Sequence, residues 1–287
     1  MIFPGQPITG EAVAAHYDQL DRFYRDVWGD HVHHGLWSKG TESRDEAVRN
    51  LAFVVAQTAC IASGDRVCDI GCGYGATARL LVSKYGARVS AITISPAQHA
   101  FAQRHGMGAQ ADNLEFVLGD WLKNGFPSQS FDTAIAIESS EHMPDLAAFF
   151  GQAFRVIRPG GRLVVTAWLS RDAPTVLQKK WLLRPICRDG RMPIMGTAKE
   201  YARIAAEAGF AIEQIEDLSS RVSQTWREIS RMFLWKLIRE PKYVRFLFGD
   251  HAGNRTFALT ILRLRLAYWS GAMRYAIFSF RKPVLKS

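Results

Sequence analysis

The segment Val67-Cys68-Asp69-Ile70-Gly71-Cys72-Gly73-Tyr74-Gly75 constrains this chain more than any other. A short apolar run enters alternating glycines, and helical periodicity begins immediately after them, at Ala76. Glycines at this junction allow positive φ and let the backbone approach a ligand more closely than any Cβ permits. A strand, a glycine loop and a helix in that order open a parallel α/β sheet and mark a place for a flat or charged molecule. The string also satisfies GxGxxA, so a nicotinamide or flavin dinucleotide is weighed against the nucleoside of S-adenosylmethionine.

The pattern after Asp65 supports such a sheet. Short apolar runs predict strands at 66–70, 88–94, 114–118, 131–138 and 162–168, and helical stretches fill the gaps at 76–84, 96–105 and 145–157. Arg158-Pro159-Gly160-Gly161 reads as a turn into the fifth strand. Further on, a helix is expected at 198–208, strands at 210–215 and 274–280, and helices rich in aromatics and arginines at 225–247 and 256–268. Upstream, Val13, Tyr17, Leu20, Tyr24 and Val27 share one face of a helix ending near Gly29, and Ser43-x-x-Glu46 opens a second helix as a capping box. The whole reads as one structural domain with a seven-stranded, doubly wound, Rossmann-like sheet. Residues 1–62 form a helical lid and cap, 63–170 the cofactor core, and 171–287 the rest of the sheet with a helical insertion before the last strand.

Two features separate the candidate cofactors. A dinucleotide site wants an acid about 20 residues past the first glycine, but the second strand ends Ala91-Ile92-Thr93-Ile94. Asp69 suits the ammonium of a methionine moiety and would repel a pyrophosphate. Asp120, in Leu118-Gly119-Asp120-Trp121, falls at the carboxyl edge of the sheet, where its carboxylate could accept from an adenine amino group while Trp121 covers the ring.

With these residues in place the chain resembles the class I S-adenosylmethionine-dependent methyltransferases, through Asp69 to Gly75, Gly119-Asp120, Phe131-Asp132 and Arg158 to Gly161. More narrowly it resembles the γ-tocopherol methyltransferase-like group, with its sugar, sterol, amine and cyclopropane-fatty-acid relatives. That likeness rests on His16-Tyr17-Asp18, His33-His34-Gly35-Leu36-Trp37, Ile92-Thr93-Ile94-Ser95-Pro96-Ala97-Gln98, Glu138-Ser139-Ser140-Glu141-His142-Met143, Ala267-Tyr268 and Arg281-Lys282-Pro283. The resemblance implies S-adenosylmethionine as cofactor, held by Asp69, Gly71, Cys72, Gly73, Thr93, Ile94, Gln98, Asp120, Trp121 and Glu138. It also implies a cofactor-facing Trp37 and a lid tyrosine at Tyr17.

Methyl transfer from a sulfonium is an in-line displacement, so positioning and a dry site supply most of the acceleration. For a hydroxyl acceptor, His142 is the first choice of base; its plainer reading is to orient the loop or cap the helix at Asp145. For an alkene or aromatic carbon, Glu138 or Glu141 would stabilise the cation and remove its proton. Glu141 reads more readily as a solvated or cofactor-contacting residue. Tyr17 and Trp37 each have packing as the alternative. His31, His33 and His34 lack partners at ligand spacing, so no metal is expected.

Charge is uneven along the chain. From Arg221 to Ser287 there are 14 basic and 3 acidic side chains, whereas the chain as a whole is +9. Interleaved with Trp226, Phe233, Trp235, Tyr243, Phe246 and Phe248, the basic residues suit a membrane-surface helix, an anionic acceptor, or arginine stems covering an apolar cap. Nucleic acid is the least favoured partner, since no RNA-binding motif is present. Cys60, Cys68, Cys72 and Cys187 show no CxxC pair, and no apolar run is long enough to span a bilayer, so a soluble, cytoplasmic enzyme is expected, with association at a membrane surface as an option. The expected activity is methylation of a small lipophilic or anionic acceptor at oxygen, carbon or nitrogen. The alternatives are a nicotinamide-dependent oxidoreductase and a non-enzymatic membrane or nucleic-acid binder.

Overall fold

The computed structural model describes residues 1–106, 112–240 and 252–284. Local chemistry sets most of its elements. Ser43 Oγ accepts from Glu46 N at 3.3 Å while the Glu46 carboxylate accepts from Ser43 N at 2.7 Å, and this reciprocal cap starts the helix Arg44–Thr58. That helix buries Val48, Leu51, Ala52 and Val55. Ser95 caps the helix Pro96–Arg104 by a single bond, its Oγ accepting from Gln98 N at 3.2 Å, with proline in the first turn.

The strands are β1 (Arg66–Ile70), β2 (Arg88–Thr93), β3 (Leu114–Leu118), β4 (Phe131–Ile137), β5 (Ile157–Ser170), β6 (Ala211–Asp217) and β7 (Met273–Arg281). They form a seven-stranded sheet in the order β3-β2-β1-β4-β5-β7-β6. Neighbours from β3 to β5 are parallel, and β7 runs antiparallel to both β5 and β6. The chain reverses its winding between β1 and β4, which opens a crevice at their carboxyl ends. One face of the sheet packs Phe149, Phe150, Tyr201 and Phe278 under the helices Leu146–Val156 and Ala198–Glu207. The other packs Leu51, Val55, Leu81 and Ile135. A third cluster, with Trp226, Ile229, Ile261 and Leu264, joins the helices Gln224–Arg239 and Ala252–Trp269 to the helical run 176–189.

Several boundaries differ from expectation, each for a visible reason. The N-terminal arm is two helices, Gly10–Gln19 and Asp21–Trp28, broken at Leu20; just past the break, the Asp21 carbonyl and carboxylate both accept from the Tyr74 hydroxyl. The helix after the glycine loop is regular only through Leu80 and finishes as a wider π turn, Leu81–Tyr85, stopped by Gly86. Arg158 to Gly161 lie within β5 as a bulge, between the pairs Phe131–Ile157 and Thr133–Arg162, and are not a turn preceding it. The helical run 176–189 was not anticipated, although its capping box, Thr175 with Gln178, is present in the sequence. The expected helix 225–247 is observed as Gln224–Arg239, and Tyr243, Phe246 and Phe248 lie outside the described residues.

Candidate active site

The ends of β1, β2, β3 and β4 border an open cavity at the point where the winding reverses, the usual place for a small-molecule site in such a sheet. Gly71, Gly73, Thr93, Ile94, Gln98, Asp120, Trp121, Glu138, His142 and Tyr17 all line it. The glycine loop is pinned from below: Gly71 N and Cys72 N both donate to the Ile92 carbonyl, at 2.8 and 2.9 Å. Gly71 has φ +75°, and a Cβ there would lie 2.4 Å from the Ser139 Cβ. Ser139 is fixed in turn by donating to the Ile70 carbonyl at 2.5 Å. Around Gly73 a Cβ would meet nothing within 4 Å, so the backbone is open toward a ligand.

Asp69 lies buried beneath this loop and is not among the residues that line the cavity. Its carboxylate is buried, Oδ2 has no hydrogen-bond partner, and burial pushes its pKa up to about 7. An orphaned carboxylate oxygen beneath a glycine loop is matched by a cationic, donor-bearing ligand, so the residues present fit the methionine ammonium of S-adenosylmethionine. Gln98 is held by Thr93, whose hydroxyl donates to its Oε1 at 2.9 Å, and Ser95 is tied to Asp18 of the N-terminal helix at 2.5 Å. Asp120 Oδ1 caps Leu122 N at 2.9 Å, and the Trp121 indole donates to the Phe149 carbonyl at 3.3 Å.

The fourth strand delivers the titratable groups. His142 Nδ1 lies 3.1 Å from the Arg191 carbonyl, which only accepts, so Nδ1 carries the proton. Nε2 then accepts from the Tyr17 hydroxyl at 3.0 Å. Burial lowers the His142 pKa and raises that of Tyr17, so the pair rests as neutral imidazole and phenol.

Glu138, at φ +51°, is closed off by donors. Oε1 accepts from His34 N (2.8 Å) and Tyr275 Oη (2.7 Å), and Oε2 from His34 Nδ1 (3.0 Å) and the Trp168 indole (2.6 Å). Burial opposes its charge, but His34 and these donors outweigh it and hold its pKa well below the ordinary carboxylate range. His34 Nε2 accepts from the Trp226 indole at 2.7 Å and from the Tyr268 hydroxyl at 3.1 Å. Hydrogen bonds therefore run from the cavity wall to both C-terminal helices. His34 is the residue that sequence reasoning set aside, and the Arg191 carbonyl carried no signal at all.

Glu141 is neither solvated nor at the cavity. It is buried, its oxygens accept from Trp168 N (3.1 Å) and Ser140 Oγ (3.3 Å), and burial together with Glu138 pushes its pKa up to about 8. Trp37 also departs from expectation: it is buried away from the cavity, donating to Thr225 Oγ1 at 3.2 Å. Cys72 packs beneath the loop rather than lining the cavity. Trp226, expected on an amphipathic surface, is buried against His34. His31, His33 and His34 bond one another through Nδ1–Nε2 and Nδ1–carbonyl contacts of 3.2 and 2.8 Å. Among the described residues no cluster of metal-ligating side chains is arranged to hold an ion.

The family model for mycolic acid cyclopropane synthetase matches residues 7–238. The chain belongs to that family. It is a class I S-adenosylmethionine-dependent methyltransferase. It is 30% identical to a probable chloroplastic tocopherol O-methyltransferase of Oryza sativa, over 96% of this chain and 79% of that protein. It is 29% identical to the 27-O-demethylrifamycin SV methyltransferase of Amycolatopsis mediterranei, over 96% and 98%. In fold it is similar to the cyclopropane synthase MmaA2 from Mycobacterium tuberculosis, with a TM-score of 0.83 and 20% identity over 96% of this chain and 99% of that one. The seven-stranded methyltransferase fold expected from the sequence is the observed one, and the oxidoreductase and non-enzymatic alternatives gain no support.

Proposed function

We propose that this methyltransferase transfers a methyl group to a hydroxyl of a lipophilic small molecule, with His142 as the proton acceptor and Tyr17 as its partner. The observation that carries this reading is the Tyr17–His142 pair at the cavity, where a neutral imidazole presents Nε2 through a single phenol contact. Both glutamates that would serve a carbocation are otherwise engaged, Glu138 by four donors and Glu141 behind the wall. S-adenosylmethionine, when bound, supplies an electrophilic methyl on sulfur. Asp69, the Gly71–Gly73 backbone, Gln98, Asp120 and Trp121 would hold it.

Tyr17 can accept the acceptor's proton at Oη while donating its own to His142 Nε2, and the Arg191 carbonyl then faces the imidazolium from Nδ1. Val13, Val32, Ile137 and Met143 add apolar side chains to the lining. A lipophilic acceptor agrees with that lining and with the tocopherol and rifamycin SV named for the two relatives.

Lipophilic phenols and polyols incubated with isotopically labelled cofactor test the reading by mass spectrometry. We expect label on oxygen, and a loss of roughly 10²–10⁴ in turnover for His142→Ala, in the range general-base removal gives. Label on carbon with His142→Ala fully active would refute it.

A further inference from the structure

We propose that the outward face shared by the helical run 176–189 and the helix Ala252–Trp269 docks on an anionic membrane surface. The two elements lie side by side and antiparallel. Gln178 donates to the Ser270 carbonyl at one end, and at the other Thr260 and Arg263 both donate to Asp189 at 2.9 Å. The second helix is apolar on two sides. Ile261, Leu264 and Ala267 face the core, whereas Leu259, Leu262, Leu266 and Trp269 follow helical spacing on the exposed side, with Trp269 86% exposed. On the neighbouring run Leu177 is exposed and Trp181 is 61% exposed. Isolated exposed apolar residues need no explanation, but two adjacent helices showing leucines and indoles together do.

Charge selects the occupant. Neither 173–188 nor 259–271 contains an acidic residue. Asp189, which ends the run, is taken up by Arg188 and Arg263. Lys179, Lys180, Arg184 and Arg265 are exposed and form no ion pair with a described residue, and the Lys180 ammonium lies 5.2 Å from the Trp181 ring centroid. Indoles and leucines fringed by unpaired cations suit the headgroup region of an anionic bilayer. A second copy of the chain would bring like charges together. Among the described residues no helix is long and apolar enough to cross a membrane, so the contact is lateral. The run continues directly into Arg191, whose carbonyl orients His142, so the surface adjoins the active site. The inference rests on the lipophilic-acceptor reading for its purpose, since such an acceptor partitions into bilayers.

The test is cosedimentation of the full chain, without acceptor, with vesicles of phosphatidylcholine alone and of phosphatidylcholine mixed with phosphatidylglycerol. We expect binding to the mixed vesicles that weakens with salt. The variant Lys180→Gln/Arg184→Gln/Arg265→Gln should bind about a hundredfold more weakly, at about fivefold per charge. Leu262→Ser/Trp269→Ser should also release the protein, with cofactor affinity by calorimetry and elution volume on gel filtration unchanged for both. Equal binding to the two vesicle types, no binding at low salt, or a dimer lost in the Leu262→Ser/Trp269→Ser variant would overturn the proposal. Failure of the acceptor reading shows separately, as absence of methyl transfer to lipophilic acceptors dispersed in detergent.

Discussion

Glu138→Gln separates a positioning carboxylate from a catalytic one. The native side chain accepts four hydrogen bonds, two on each oxygen, and a glutamine keeps one oxygen and gains an NH₂. With the NH₂ on the Oε2 side it meets His34 Nδ1–H and the Trp168 indole N–H, both donors. Neither can reverse its role, because His34 Nε2 is already accepting from the Trp226 indole. With the NH₂ on the Oε1 side it meets His34 N–H, which is fixed, and the Tyr275 hydroxyl, which can turn to accept. The better orientation therefore leaves one buried donor facing another, about 1–3 kcal/mol, and removes the charge from the two bonds that survive, about 1 kcal/mol more. A total near 3 kcal/mol corresponds to a fall in Tm of roughly 5 °C for a chain of this size. Calorimetric scans at neutral pH, alongside kcat and KM, read both consequences. Glu138 is held below its ordinary pKa of 4.5, so its stabilisation is complete above that value and is lost as pH falls toward the folded-state pKa. The gap between wild type and Glu138→Gln should accordingly narrow below pH 4.5. An unchanged Tm with kcat lowered by orders of magnitude would refute this account and restore Glu138 as a base.

Glu141→Gln should behave in the opposite way. Because the folded-state pKa is raised from 4.5 to about 8, wild-type stability falls as pH rises through that window, and the variant lacks the slope, so urea unfolding should find it the more stable protein above pH 8 with turnover retained. Asp69→Asn should weaken S-adenosylmethionine binding by at least about tenfold in calorimetry, as expected for losing a charge-assisted bond. The same variant should gain stability above pH 7 in the absence of cofactor, because the buried charge that opposes folding there is gone. Gly71→Ala, with its Cβ 2.4 Å from Ser139 Cβ and φ at +75°, should lose several kcal/mol, and Gly71→Ala/Ser139→Gly should recover the part due to that contact; additive single effects in denaturation would show the two sites to be independent.

What was legible in the sequence is what local geometry dictates. Gly71 and Asp120 follow, and Thr93 ends, strands whose apolar pattern is self-contained, so placing the strands places these residues along one edge. The capping boxes at Ser43 and Thr175 are equally local, and the second was readable but unread, because no strong apolar periodicity follows it. Trp37 and Glu138 were beyond such reasoning. An indole or a carboxylate takes its role from its partners, and theirs, Thr225 for one, His34 and Tyr275 for the other, are more than 100 positions away. The Arg191 carbonyl is a harder case, since any residue could have supplied it and only the path of the backbone after the run 176–189 brings it to His142.

The two glutamates show how the site divides its labour. They leave the same strand three positions apart and are both buried, so desolvation alone would push both pKa values up. Four donors keep Glu138 ionised, and Glu141, with two donors and the Glu138 charge nearby, is driven toward its neutral form. Pairs of titratable groups split in this way often serve as acid and base, but here neither presents an uncommitted lone pair to the cavity. Glu138 fixes His34 and through it the C-terminal helices, while Glu141 ties the loop after β4 to Trp168. Charge in this wall thus serves to hold the cavity's shape. On the proposed reading proton transfer falls to His142, whose Nε2 can be reached through Tyr17, a residue of the N-terminal helix. The base is therefore completed only when that helix lies over the cavity, and a truncation removing it should cost turnover even for an acceptor that still binds.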